Sequence, residues 1–243
     1  MILSPAPRRS WLLIVGLLFA HNSLLAQTLT VTGHVTVEGS AARARPTNNS
    51  GAVVWLTPLG ETELQAKAAL GPFKLVQKNK QFIPHVLVVP VGAVVEFPNH
   101  DPFFHNVFSL FDGKRFDLGL YEAGTTRNVH FNAPGISYIF CNIHPAMSAV
   151  VITTKAPYYA ISNAAGDITI DDVPPGRYQL SIWQERCLPD LLRSLSRAVV
   201  VSPTSSSLGE LRLAESGNLL KHKNLYGLDY ELAAPQDSTY AQP

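Results

Sequence analysis

The densest chemistry in the chain lies in seven residues, Cys141-Asn142-Ile143-His144-Pro145-Ala146-Met147, which place a thiol, an imidazole and a thioether close together. They follow the apolar run Ser137-Tyr138-Ile139-Phe140 and precede another that starts at Ala149. The three side chains therefore sit in a loop between two predicted strands and can turn toward one point. Thiolate, imidazole and a weak thioether suit copper cycling between two oxidation states, because two His and one Cys with a long axial Met favour neither state's preferred geometry; hard cations ask for oxygen ligands instead. The second imidazole has to come from another strand end, and His105, in Asn99-His100-Asp101-Pro102-Phe103-Phe104-His105-Asn106-Val107, is placed for it. The expectation is one copper ion held by His105, Cys141, His144 and Met147.

Two other readings compete. Cys141 and Cys187 are the only cysteines, and in an oxidising compartment two cysteines ordinarily form a disulfide. That pairing would leave the spacing from Cys141 to His144 and Met147 a coincidence, and Met147 is the only methionine besides Met1. Zinc also accepts Cys and two His, although its structural sites take four Cys or His ligands rather than a thioether. His85 and His100 lie near the ligand runs and read as surface or core residues, or as a secondary site. His34, His130 and His222 read as structural. Copper enzymes of the multicopper type need His-x-His pairs and binuclear copper needs two cysteines in one loop; the chain has neither. No Ser/His/Asp arrangement or phosphate-binding glycine loop stands out, so the chain is not expected to be an enzyme.

The elements that must position these ligands read as strands. Leu29 to Val37, Gly51 to Leu56, Val86 to Val89, Ala93 to Phe97, Ser137 to Phe140 and Ala149 to Thr153 are short runs, rich in β-branched and aromatic residues and bounded by Gly, Pro and Asn. Residues 59–81 and 186–197 are the candidates for short helices. An all-β architecture follows. From about Ala214 the chain becomes polar and irregular, and residues 214–243 are expected to form a flexible tail.

The ligand loop resembles that of the cupredoxins, and most of all the amicyanin type: Cys-x₂-His-x₂-Met with Pro after the His. The likeness runs from Phe82-Ile83-Pro84 through Gly92, Val95-Glu96-Phe97 and Asn99 to His105-Asn106-Val107, and on through Gly135 and Tyr138 into the loop. It implies a Greek-key sandwich over residues 72–155 with a single type-1 copper, and a side-chain hydrogen bond from Asn106 that ties the two ligand loops together. Over the whole chain there is also a similarity to bacterial plastocyanin-like proteins. A second resemblance is carried by Ala165-Gly166-Asp167-Ile168-Thr169-Ile170-Asp171-Asp172-Val173-Pro174-Pro175-Gly176-Arg177-Tyr178, which looks like the later half of a carboxypeptidase regulatory-like sandwich. Gly33-His34-Val35 and Val53-Val54-Trp55-Leu56 look like its first half. Residues 28–60 and 156–213 would then form one small β-sandwich interrupted by the cupredoxin, and a 76–155 fragment would keep the metal site by itself. One enlarged cupredoxin is the alternative.

Arg8 and Arg9, the apolar run Trp11 to Ala20 and Leu24-Leu25-Ala26 read as a secretory signal over residues 1–26, cleaved near Ala26. The apolar run is shorter than the roughly 20 residues a membrane span needs, so no transmembrane segment is expected after cleavage. A formal net charge of +1 gives no basic footprint for nucleic acid. These features lead to a periplasmic one-electron carrier with a redox partner protein in the envelope. His144 would be its electron port, inside a docking patch of Phe103, Phe104, Pro145 and Ala146. The alternatives are a periplasmic copper-delivery protein and an envelope-binding sandwich with an accessory copper.

Overall fold

A computed structural model describes residues 27–39, 48–60, 71–110, 113–216 and 223–229. The expected signal over 1–26 lies outside these residues, as does 61–70. Strands make up almost all of the regular structure. The first two are β1 (Leu29–Glu38) and β2 (Val53–Pro58). A middle group follows: β3 (Phe73–Lys74), β4 (Val76–Lys78), β5 (Gln81–Ile83), β6 (Val86–Pro90), β7 (Ala93–Pro98), β8 (His105–Ser109), β9 (Phe116–Tyr121), β10 (Thr126–Phe131), β11 (Gly135–Cys141) and β12 (Ser148–Thr154). The last group is β13 (Tyr158–Ile161), β14 (Asp167–Val173), β15 (Gly176–Trp183), β16 (Arg197–Val201) and β17 (Ser207–Ala214), with one helix, α1 (Pro189–Leu195), between β15 and β16. No helix of the described residues is long and apolar enough to cross a membrane.

The strands sort into two sets. β1, β2 and β13 to β17 pair only among themselves, in sheets ordered β14-β1-β17 and β13-β2-β15-β16. β3 to β12 likewise pair only among themselves, in sheets ordered β10-β7-β3 and β6-β12-β11-β8-β9 and in the β4-β5 hairpin. In the first set, Gly166 makes the turn into β14 with φ +102°, and a Cβ there would lie 2.1 Å from the carbonyl oxygen of Val35, so glycine alone fits.

A continuous apolar interior joins the two sets. Adjacent strand residues face opposite sides of a sheet, and in β12 both Val150 and Val151 are fully buried. Val151 packs into a core with Phe97, Phe131, Ile139 and Met147. Val150 packs the other way, with Val86, Val88 and Ile152, into the core that contains Val54, Leu180 and Leu211 of the first set. The β6-β12-β11-β8-β9 sheet therefore has one face toward the core that holds Cys141 and Met147 and the other against the flanking sheets. Each of these side chains, fully buried, contributes about 1.5–3 kcal/mol. A 76–155 fragment would bare this second face to water.

Other expectations are refined here. The helix expected within 186–197 is α1, opened by Pro189 with Asp190 in its first turn. The helix expected within 59–81 is replaced, over its described part, by strands: Val76–Lys78 and Gln81–Ile83 pair across a two-residue turn, Asn79-Lys80, in which both residues have φ of 56°. The tail expected to be mobile from 214 is fixed at its start, where Glu215 N–H bonds to Glu38 O and Ser216 N–H to Arg186 O. Residues 223–229 are anchored too. Asn224 Oδ1 accepts from Tyr226 and Leu228 N–H to form a turn, and Leu225 N–H donates to Asn142 Oδ1 at 2.8 Å. The side-chain carbonyl of Asn142 thus holds part of the tail.

Candidate metal centre

Strand pairing assembles the centre. Cys141 is the last residue of β11 and lies opposite Val107 of β8, whose first residue is His105. That register carries His105 to within reach of a thiol 36 positions away in sequence. Beyond Cys141 the chain reverses tightly, with Met147 N–H bonded to His144 O and Cys141 N–H to Met147 O. The reversal folds His144 and Met147 back toward the strand end.

Sγ of Cys141 lies 3.6 Å from Nδ1 of His105 and 3.6 Å from Nδ1 of His144, and the three donor atoms all lie within 4.8 Å of one another. Cys141 and His105 are fully buried, and Met147 is buried in the same core as Cys141. Bonds of roughly 2.0–2.3 Å meeting at roughly 110–120° would put a sulfur and a nitrogen roughly 3.5–3.8 Å apart, so the spacing fits one ion shared by three ligands. Proton bookkeeping points the same way. Nε2 of His105 sits 2.9 Å from Asp101 Oδ2, and a carboxylate requires that nitrogen to be the donor. In the neutral ring Nδ1 is then a bare lone pair aimed at the thiol sulfur. Two electron-pair donors in buried contact need a cation between them, either a proton or a metal.

Burial alone would lower the His105 pKa, but hydrogen bonds to Cys141 and Asp101 outweigh it and raise the imidazole above its ordinary value. Burial alone would raise the Cys141 thiol, but the hydrogen bond from His105 and backbone N–H groups of Asn106, Ile143 and His144 hold it below the ordinary value. His144 moves the other way from His105: burial and then the charges of His105 and Lys80 lower it. Phe103 packs on both imidazoles, with centroids 5.3 Å from His105 and 5.6 Å from His144, and the two imidazoles are 5.0 Å apart.

Around this set the remaining candidates fall as follows. Asn106 ties the ligand loops together, but through its backbone: its carbonyl accepts from Asn142 N–H at 2.9 Å. Its side chain, expected to make that link, donates instead to Asp117 Oδ1 at 2.8 Å, because the adjacent strand β9 brings that carboxylate closer. In the expected docking patch, Phe104 is 52 % exposed and Pro145 and Ala146 are exposed, while Phe103 is half-buried against both imidazoles. Ile143 and Leu120 are exposed apolar residues that the sequence did not single out, and Leu120 and Phe104 line one cavity of about 220 Å³. His85 pairs with Glu185, His34 with Asp167, and His130 with the Gly92 carbonyl. His100 is exposed, and His222 lies outside the described residues. Cys141 and Cys187 are both buried, and no disulfide joins them. Asp101 was missed; a lone acid four residues before a histidine carries no signal until the loop is folded.

No family model matches the chain, and no curated protein matches it. Among solved structures it is similar to a purple cupredoxin from Nitrosopumilus maritimus, 23 % identical over 34 % of this chain and 100 % of that one, with a TM-score of 0.32. It is also similar to a Cu-containing nitrite reductase from Thermus scotoductus, 22 % identical over 40 % of this chain and 28 % of that one, with a TM-score of 0.33. A reduced mutant of amicyanin is 21 % identical over 37 % of this chain and 88 % of that one, again with a TM-score of 0.33.

Proposed function

We propose that this chain is an exported type-1 copper protein of the cupredoxin kind that passes one electron at a time to a protein partner in the periplasm. The observation that carries this reading is the convergence of Cys141 Sγ with the Nδ1 atoms of His105 and His144 at 3.6 Å each. In this reading Met147, buried in the same core as Cys141, would supply the fourth, weak donor. Copper would supply the one-electron couple. The chain's own part is to hold the donor atoms in place in both oxidation states: His105 is fully buried and fixed from behind, and Cys141 is locked by strand pairing. His144, only half-buried, is the route by which the electron leaves, and the exposed apolar side chains of Phe104, Ile143 and Pro145 suit brief docking. No catalytic role is assigned to any residue.

The test is an absorption spectrum of the copper-loaded protein. An intense blue, green or purple band, from thiolate bonded to oxidised copper, is the expected result. A pale protein that binds copper without that band would mean that Cys141 is not a ligand, and would favour copper delivery.

A further inference from the structure

Asp101 is 4 % exposed, and three N–H groups converge on its carboxylate. Asn79 N–H reaches Oδ1 at 2.5 Å, Lys80 N–H reaches Oδ2 at 3.0 Å, and Nε2 of His105 reaches Oδ2 at 2.9 Å. The first two donors come from the left-handed turn between β4 and β5, whose two residues with φ of 56° aim successive N–H groups to one side. The loop that carries Asp101 is itself braced: Asp101 N–H donates to Asn99 Oδ1 at 3.0 Å, Asn99 Nδ2 donates to Phe103 O at 2.8 Å, and His100 N–H donates to Gln77 O of β4 at 2.8 Å. Hairpin, loop and imidazole thus form one hydrogen-bonded unit, with the carboxylate at its centre. Among the described residues, His144 has no carboxylate within ion-pair distance, and His105 does.

We propose that Asp101 is the positioning residue of the metal centre. Clamped by the hairpin turn, it fixes the His105 ring with Nδ1 toward the metal, and its charge biases the site toward the oxidised ion. The inference rests on the copper reading given above. Three donors orient the carboxylate without removing its charge. An imidazole hydrogen-bonded to an anion is a stronger donor, and a buried negative charge stabilises the doubly charged ion more than the singly charged one. The two imidazoles then have separate duties: His105 tunes the couple, and His144 conducts.

The test compares copper-loaded wild type with Asp101→Asn by absorption and redox titration, together with proton–nitrogen NMR of the reduced, diamagnetic wild type. In the wild type the ring N–H of His105 should appear as a downfield, slowly exchanging proton, unlike that of His144. Asp101→Asn should remain coloured but shift the equilibrium with a fixed one-electron partner about tenfold toward the reduced protein, which is about 59 mV upward. A colourless wild type would sink the copper reading and this proposal with it. A coloured wild type whose His105 ring proton exchanges freely would overturn the role of Asp101 alone. So would a folded, coloured Asp101→Asn with an unchanged potential. Should that variant fail to fold, the wild-type ring proton decides.

Discussion

Cys141 and Cys187 are both buried and not joined by a disulfide, with 0 % and 3 % of their surface exposed, yet the fold prepares them for opposite chemistry. Burial pushes both toward the neutral thiol. At Cys187 little opposes it: burial, opposed by the charge of Arg186 and reinforced by that of Glu215, raises the thiol to about 11. At Cys141 the same pressure is overcome by His105 and by backbone N–H groups directed at the sulfur. Burial alone therefore does not set the chemistry of a cysteine; the lone pairs and donors that share its pocket do.

The sharpest way to break that comparison is to remove each sulfur. Cys141→Ser should abolish the thiolate band of the copper-loaded protein completely. Cys187→Ser should leave the band in place and cost about 1–3 kcal/mol, because it buries a hydroxyl in an apolar pocket. Visible absorption and thermal melting of both variants check this. A Cys141–Cys187 bond found by mass spectrometry in the loaded protein would collapse the distinction.

The next largest effect concerns the wall between the two thiols. Ile152 is 2 % exposed on the face that β12 turns toward the flanking sheets, so Ile152→Ala should cost about 2–5 kcal/mol. With one interior serving both strand sets, calorimetry should show a single transition at which the colour is also lost. Two well-separated transitions, with the colour surviving the first, would show instead that the two strand sets are independent.

Met147 sharpens the comparison on the Cys141 side. It is 1 % exposed and packed in the same core as that thiol. Met147→Gln replaces a weak thioether with an oxygen donor that favours oxidised copper, so the potential should fall by about 59 mV, a tenfold change in the one-electron equilibrium. Redox titration beside the wild type measures it. An unchanged potential would make Met147 a packing residue.

The smallest effect lies at the seam, where Nε2 of His85 meets Glu185 Oε2 at 2.6 Å. The hydrogen bond to Glu185 raises the His85 pKa against the opposing pull of burial. A raised histidine stabilises the fold fully at pH below its unfolded value and loses that contribution as pH climbs through the folded one. His85 is half-exposed, so His85→Gln should cost less than about 1 kcal/mol. The gap in melting temperature from wild type should be wider at about pH 5.5 than at about pH 8.5. A gap independent of pH would mean that packing, not charge, joins the two sides.

Much of this was legible along the chain. Leu29 to Val37 became β1 with one residue added, and the runs at Val86, Ala93, Ser137 and Ala149 became β6, β7, β11 and β12 within a residue or two. Local propensity and bounding turns suffice where a run is short and apolar. β9 and β10 were not read out, because Phe116–Tyr121 and Thr126–Phe131 mix exposed polar residues with few buried ones, and their pairing partners alone make them strands. The ligand loop was legible for a similar reason: its three donor side chains lie within seven residues.

By itself, the sequence determined which donor atoms are available, their order, and the loop that gathers three of them, since these depend on neighbours along the chain. Only the tertiary structure decided that Asp101 stands behind His105, that Asn106 links the loops through its carbonyl, that Leu225 caps Asn142, and which face of β12 meets which core. Ala149-Val150-Val151-Ile152 is apolar throughout, so it carries no alternation from which to read a face. The other contacts join residues whose approach is fixed by strand register and loop packing, and no local preference encodes either.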